Sequence, residues 1–128
     1  REGTEFSLLD RSRGEWGEPA DDVAALSVNY LFFGLRKSAP RDPAAVAEPF
    51  LSLFLTFLDV YLRASGDREI LEVLPPFFAF RALVIAHPRW YPALADDTRA
   101  ALIRFARRML EAAPFDPETL PAMFWPLP

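Results

Sequence analysis

The sequence predicts one mainly helical domain with one or two short strands at its N-terminal edge. Three observations lead there. Helix-start and helix-stop signals recur along the chain, with Pro, Asp and Gly spaced between long apolar stretches. One stretch, Val23 to Leu35, carries no charge at all. Another, Leu102 to Glu111, alternates apolar and charged residues with a helical period.

Thr4 to Leu9 is a strand candidate, with Gly3 suited to a turn before it. Arg11 to Glu18 has no helical period and contains Gly14 and Gly17, so it reads as a loop whose glycines serve turns. Pro19 suits the first turn of a helix, and Asp21 or Asp22 suits its N-terminal cap. The charge-free run that follows predicts a central helix buried on all sides. Asp42-Pro43 opens a second helix, reaching to about Ala64, with Pro49 kinking it or delaying its start. Ser65-Gly66-Asp67 stops that helix and caps the next.

Arg68 to Leu74 reads as a short helix broken at Pro75-Pro76, and Phe77 to Ala86 as a separate apolar one. Its single charge, Arg81, calls for a partner such as the helix carboxylate Asp59. His87 precedes a proline at a helix end and is placed to interact with that helix C-terminus. Pro88 to Pro92 is a loop bearing Trp90 and Tyr91. Asp96 or Asp97 caps an amphipathic helix with Leu102, Phe105, Ala106, Met109 and Leu110 on its inner face. Pro114 ends it, and Asp116-Pro117 starts a last short helix before the aromatic tail.

With 128 residues, 52% of them hydrophobic, the chain has enough apolar surface for one folded domain and no linker that would divide it. Residues 1–18 form a strand and loop segment and residues 19–128 a helical body. The net charge of −4 offers no basic surface for nucleic acid. The absence of cysteine excludes disulfides and thiolate zinc sites, and a single histidine excludes multi-histidine metal sites. The most apolar stretch, Pro49 to Leu62, is shorter than the roughly 20 residues of a membrane span and contains Asp59. The expectation is a cytoplasmic protein without membrane association.

One pattern carries chemical meaning. Asp10 is followed by six residues, then Gly17-Glu18-Pro19, two residues, and Asp22-Val23-Ala24. Alone, Asp10 reads as a turn aspartate after a strand. With this downstream spacing, the segment from Leu9 to Leu26 resembles the signature of the aminoglycoside phosphotransferase family, the kinase-like small-molecule phosphotransferases. The helices that follow resemble the family's helical C-terminal subdomain, so the fold implied is that part of a protein-kinase-like fold. The resemblance implies that Asp10 holds magnesium accompanying ATP or GTP. It implies that Asp22 supports the catalytic loop by accepting its hydrogen bonds. The acceptor, a small molecule with a hydroxyl group, would bind the helical part; Asp59, Trp90 and Tyr91 are candidates to contact it.

The sequence departs from the family where Arg11 and Ser12 follow Asp10, in place of an aromatic residue and a glutamate. It contains no His-x-Asp-x-x-x-x-Asn loop, since His87 is followed by Pro88-Arg89, and no glycine-rich phosphate loop. The expectation is a C-terminal piece of such an enzyme, inactive alone, whose nucleotide lobe and catalytic loop belong to the same longer protein. The alternative is a helical interaction module that performs no chemistry.

Overall fold

A computed structural model of the chain describes residues 16–37, 43–111 and 114–120. Four α-helices occupy most of these: α1 (Pro19–Lys37), α2 (Pro43–Ser65), α3 (Ile70–Ala86) and α4 (Asp96–Glu111), followed by a 3₁₀ turn at Pro117–Thr119. The chain is mainly helical, as its sequence predicts, and no strand occurs among the described residues. The strand candidate Thr4 to Leu9 lies outside them.

The helices pack through α1 and α3. α1 lies against both α2 and α3, and α4 covers the far side of α3. α1 starts at Pro19, whose missing N–H is one that no helix would have used. Its cap is not Asp22. The Glu18 carboxylate accepts the Ala20 N–H at 3.3 Å, and both aspartates sit one step further on, in the first turn. There they favour the positive end of the helix dipole without capping it.

α1 is also not buried all round. Ala20, Val23, Ala24, Val28, Leu31 and Phe32 face the core, whereas Leu26 and Phe33 are exposed. The sequence lacks charges on both faces, so it hides which one packs. Ser27 is buried with them, and its hydroxyl donates to the Val23 carbonyl one turn back, which meets its hydrogen-bonding need.

α2 runs straight through Pro49, which lies on an exposed surface where water can serve the carbonyl that the missing N–H leaves behind. It ends as predicted. The Gly66 N–H donates to the Leu62 carbonyl at 3.1 Å with φ +71°, a left-handed conformation that a side chain would strain. Asp67 then caps α3, its carboxylate accepting the Ile70 N–H at 3.2 Å.

The predicted break at Pro75-Pro76 does not occur: α3 is one helix from Ile70 to Ala86. Continuity has a local reason. Pro75 cannot donate to the Leu71 carbonyl, and that carbonyl instead accepts the N–H of Phe115 at 2.8 Å, from the segment after α4. Pro75 thus opens a docking point for the chain's return, and burial of Leu74 and Phe78 on either side of the prolines holds the helix in register.

The core centres on Phe78. Its ring lies 5.9 Å from Phe54 of α2, 6.2 Å from Phe105 of α4 and 5.2 Å from Phe115, centroid to centroid. These separations fall in the range of favourable tilted and edge-on aromatic pairs. On α4, Leu102, Phe105, Ala106 and Met109 are buried as expected, but Leu110 is 66% exposed. It sits at the edge of the apolar stripe, past the reach of α3. No helix among the described residues is long and apolar enough to cross a membrane.

Candidate functional site

The start of α1 is where the signature spacing places chemistry. Asp10 lies outside the described residues. Asp22 is exposed on the first turn of α1 and makes no hydrogen bond or ion pair with another described residue. Val23 and Ala24, the next two positions of the signature, point into the core. A carboxylate thus projects outward at the helix start while its neighbours anchor the helix.

Asp21, one residue earlier, is engaged. Arg81 from the middle of α3 donates Nε to Asp21 Oδ1 at 3.0 Å and Nη2 to Oδ2 at 2.6 Å. The contact is bidentate and partly buried, with side-chain exposures of 19% for Arg81 and 39% for Asp21. The expected partner, Asp59, is elsewhere: it is exposed on α2 and pairs with Arg63 one turn on. Spacing could identify Arg81 as needing a carboxylate, but not a partner sixty positions away.

Of Asp59, Trp90 and Tyr91, the three candidate acceptor contacts, Asp59 is not among the residues that wall the hollow described next. Trp90 and Tyr91 do come together. With Phe32, Pro92, Ala93, Leu94, Ala95 and Thr98 they wall an open hollow of about 410 Å³ between the end of α1 and the loop before α4. Tyr91 packs edge-on against Phe32 with centroids 5.7 Å apart. A smaller cleft of about 170 Å³ runs between α1 and α3, bounded by Asn29, Arg81 and Tyr91 among others. Tyr91 borders both.

The loop that carries these rings is well fixed. The His87 carbonyl accepts the N–H groups of Trp90 and Tyr91, each at 3.2 Å. The His87 ring accepts the Arg89 N–H through Nδ1 at 3.2 Å. His87 ends α3 through its backbone N–H, which donates to the Val84 carbonyl, while its imidazole does not engage the helix C-terminus as expected but accepts from the turn that follows. Arg99 of α4 reaches back and donates to three backbone carbonyls: Ala86 at the end of α3, Tyr91 at 3.2 Å and Leu94 at 3.3 Å. No sequence signal marked Arg99, which looks like any other charge on the outer face of an amphipathic helix.

Glu48, Glu69 and Glu72 are exposed, and Asp67 is occupied as a cap. Among the described residues no three metal-ligating side chains gather. With Asp21 held by Arg81, Asp22 is an exposed carboxylate on the first turn of α1 whose side chain has no partner among the described residues. Comparison with protein-family models, with curated proteins and with solved structures finds no match to this chain.

Proposed function

We propose that this chain is the helical, acceptor-side part of a kinase-like small-molecule phosphotransferase, working with a nucleotide lobe and catalytic loop of the same protein. The observation that supports the reading is the start of α1. The helix begins at the proline of Gly17-Glu18-Pro19, turns Asp22 outward on its first turn and buries Val23 and Ala24. Of the segment from Asp10 to Ala24, the described part, residues 16–24, is a short non-helical stretch leading into a helix, which is consistent with the reading.

In this reading Asp10 holds the magnesium that accompanies ATP or GTP and neutralises charge on the transferring phosphoryl group. Asp22 accepts hydrogen bonds from the catalytic loop and fixes its position. The Asp21–Arg81 pair ties the start of α1 to α3, so that the acceptor side and the loop side keep one relative placement. The acceptor carries the hydroxyl group that receives the phosphoryl group. The chain alone is inactive, because in-line transfer also needs an orienting base and further phosphate contacts that this sequence does not contain.

The test is phosphoryl transfer from labelled ATP and GTP to a panel of small hydroxyl compounds, using the protein as its native source makes it. Asp10→Asn is expected to lower turnover by about a hundredfold or more, the scale of losing a group that stabilises transition-state charge. Asp22→Asn is expected to lower it less while leaving nucleotide binding in place. Transfer that is unchanged in Asp10→Asn, or absent from the native protein, overturns the reading in favour of a non-catalytic helical module.

A further inference from the structure

We infer that the hollow walled by Phe32, Trp90, Tyr91, Leu94 and Thr98 is a binding site for an uncharged small molecule with a flat apolar ring. Trp90 and Tyr91 are also candidate acceptor contacts, but the assignment rests on the geometry of the hollow and not on phosphoryl transfer. Phe32 lies ten residues beyond Asp22 on α1, about 15 Å along the helix axis. A compact ligand in the hollow therefore does not reach the start of α1.

Three features of the hollow define the ligand. Its volume of about 410 Å³ lies within the range of small-molecule sites. None of its lining side chains is charged, so an ion entering it would meet no counter-charge. Its walls are aromatic and aliphatic, with the Thr98 hydroxyl and loop backbone groups as the polar contacts, a composition that suits a neutral ring bearing one or two polar groups.

The site is also preformed. Trp90 is 64% exposed and Tyr91 40% exposed, an arrangement that core packing does not require. Both are held there by backbone bonds to the His87 carbonyl and by Arg99, which fastens the loop at Ala86, Tyr91 and Leu94. Tyr91 is braced against Phe32, and the Arg89 guanidinium lies over the Trp90 ring at 5.6 Å. The rings are thus kept open to solvent without the ordering cost that a mobile loop would incur on binding.

The experiment titrates the full chain with 2-(1-naphthyl)ethanol and, separately, with 2-(1-naphthyl)ethylammonium, which share a ring and differ in charge. Binding is followed by the Trp90 indole N–H resonance and, in variants lacking it, by the Tyr91 amide. The alcohol is expected to saturate with a Kd on the order of 1 mM. The ammonium compound is expected to bind at least about tenfold more weakly. Trp90→Ala is expected to weaken alcohol binding about tenfold or more. Ala93→Trp, which obstructs the hollow from an exposed position, is expected to block it. Absence of a saturable shift, equal binding of the two compounds, or undiminished binding in both variants overturns the assignment.

Discussion

Arg81 and Asp21 meet in a bidentate ion pair across the α1–α3 interface, with Nη2–Oδ2 at 2.6 Å and Nε–Oδ1 at 3.0 Å. The pair joins the first turn of α1 to the middle of α3, so two elements far apart in the chain share one fixed contact beside the candidate site. Its energetic weight follows from its burial. Fully exposed pairs contribute about 0.2–1 kcal/mol, and breaking a buried one costs about 3–5 kcal/mol. With Arg81 mostly covered and Asp21 partly so, Arg81→Met and Asp21→Asn should each cost about 1–2 kcal/mol in urea unfolding. A double-mutant cycle should return coupling of about 1 kcal/mol or more. The Asp59–Arg63 pair, exposed on both sides, should show less than about 0.5 kcal/mol in the same cycle. Equal coupling in the two pairs would contradict this assignment of roles.

Phe78 is the residue on which α2, α3, α4 and the returning chain converge. Phe78→Ala removes a fully buried ring from contact with Phe54, Phe105 and Phe115 and should cost about 3–5 kcal/mol. For a domain with about 5–15 kcal/mol in total, that is a large share of its stability. Phe80, two residues on and 56% exposed, should tolerate alanine within about 0.5 kcal/mol. Chemical denaturation of the two variants separates these outcomes, and a similar loss for both would mean that the face of α3 bearing Phe80 is packed.

Pro75 matters for what it leaves unmade. Because it has no N–H, the Leu71 carbonyl is open to the Phe115 N–H at 2.8 Å. Pro75→Ala supplies a competing donor inside α3. The Phe115 amide should then lose protection from hydrogen exchange by about fivefold, the equivalent of one net hydrogen bond of about 1 kcal/mol. Helicity of α3 should be kept. If Phe115 exchanges no faster in the variant, the proline does not hold that docking point.

These three cases also show what the sequence makes legible. Helix limits at Pro19 and Gly66-Asp67 are local: each depends on a missing N–H, a left-handed φ or a nearby carboxylate, and each is readable within a few residues. Most of the inner face of α4 is legible for the same reason, because its charges mark the outer face, but Leu110 at the edge of the stripe is exposed. α1 gave no such contrast. Its exposed Leu26 and Phe33 look the same in sequence as its buried Leu31 and Phe32, so only packing decides between them. Pro75-Pro76 misled because the rule that prolines break helices assumes that the freed carbonyl has no other donor. Here a donor arrives from forty residues later in the chain. In the site, Trp90 and Tyr91 are legible as aromatic residues of a loop, but their exposure is not. That exposure, the choice of Asp21 by Arg81 and the fastening of the loop by Arg99 are all tertiary, and no spacing encodes them.

The central claim is that the segment from Asp10 to Ala24 belongs to a nucleotide-dependent phosphotransferase, and magnesium-dependent nucleotide binding tests it most directly, because it needs no knowledge of the acceptor. The measurement is equilibrium binding of ATP and GTP, with and without magnesium, to the protein as its native source makes it and to its Asp10→Asn variant. The account predicts saturable binding of at least one nucleotide that requires magnesium and weakens about tenfold or more in the variant, a loss of about 1.4 kcal/mol or greater. No nucleotide binding by the native protein, or binding that is indifferent to Asp10, would contradict it.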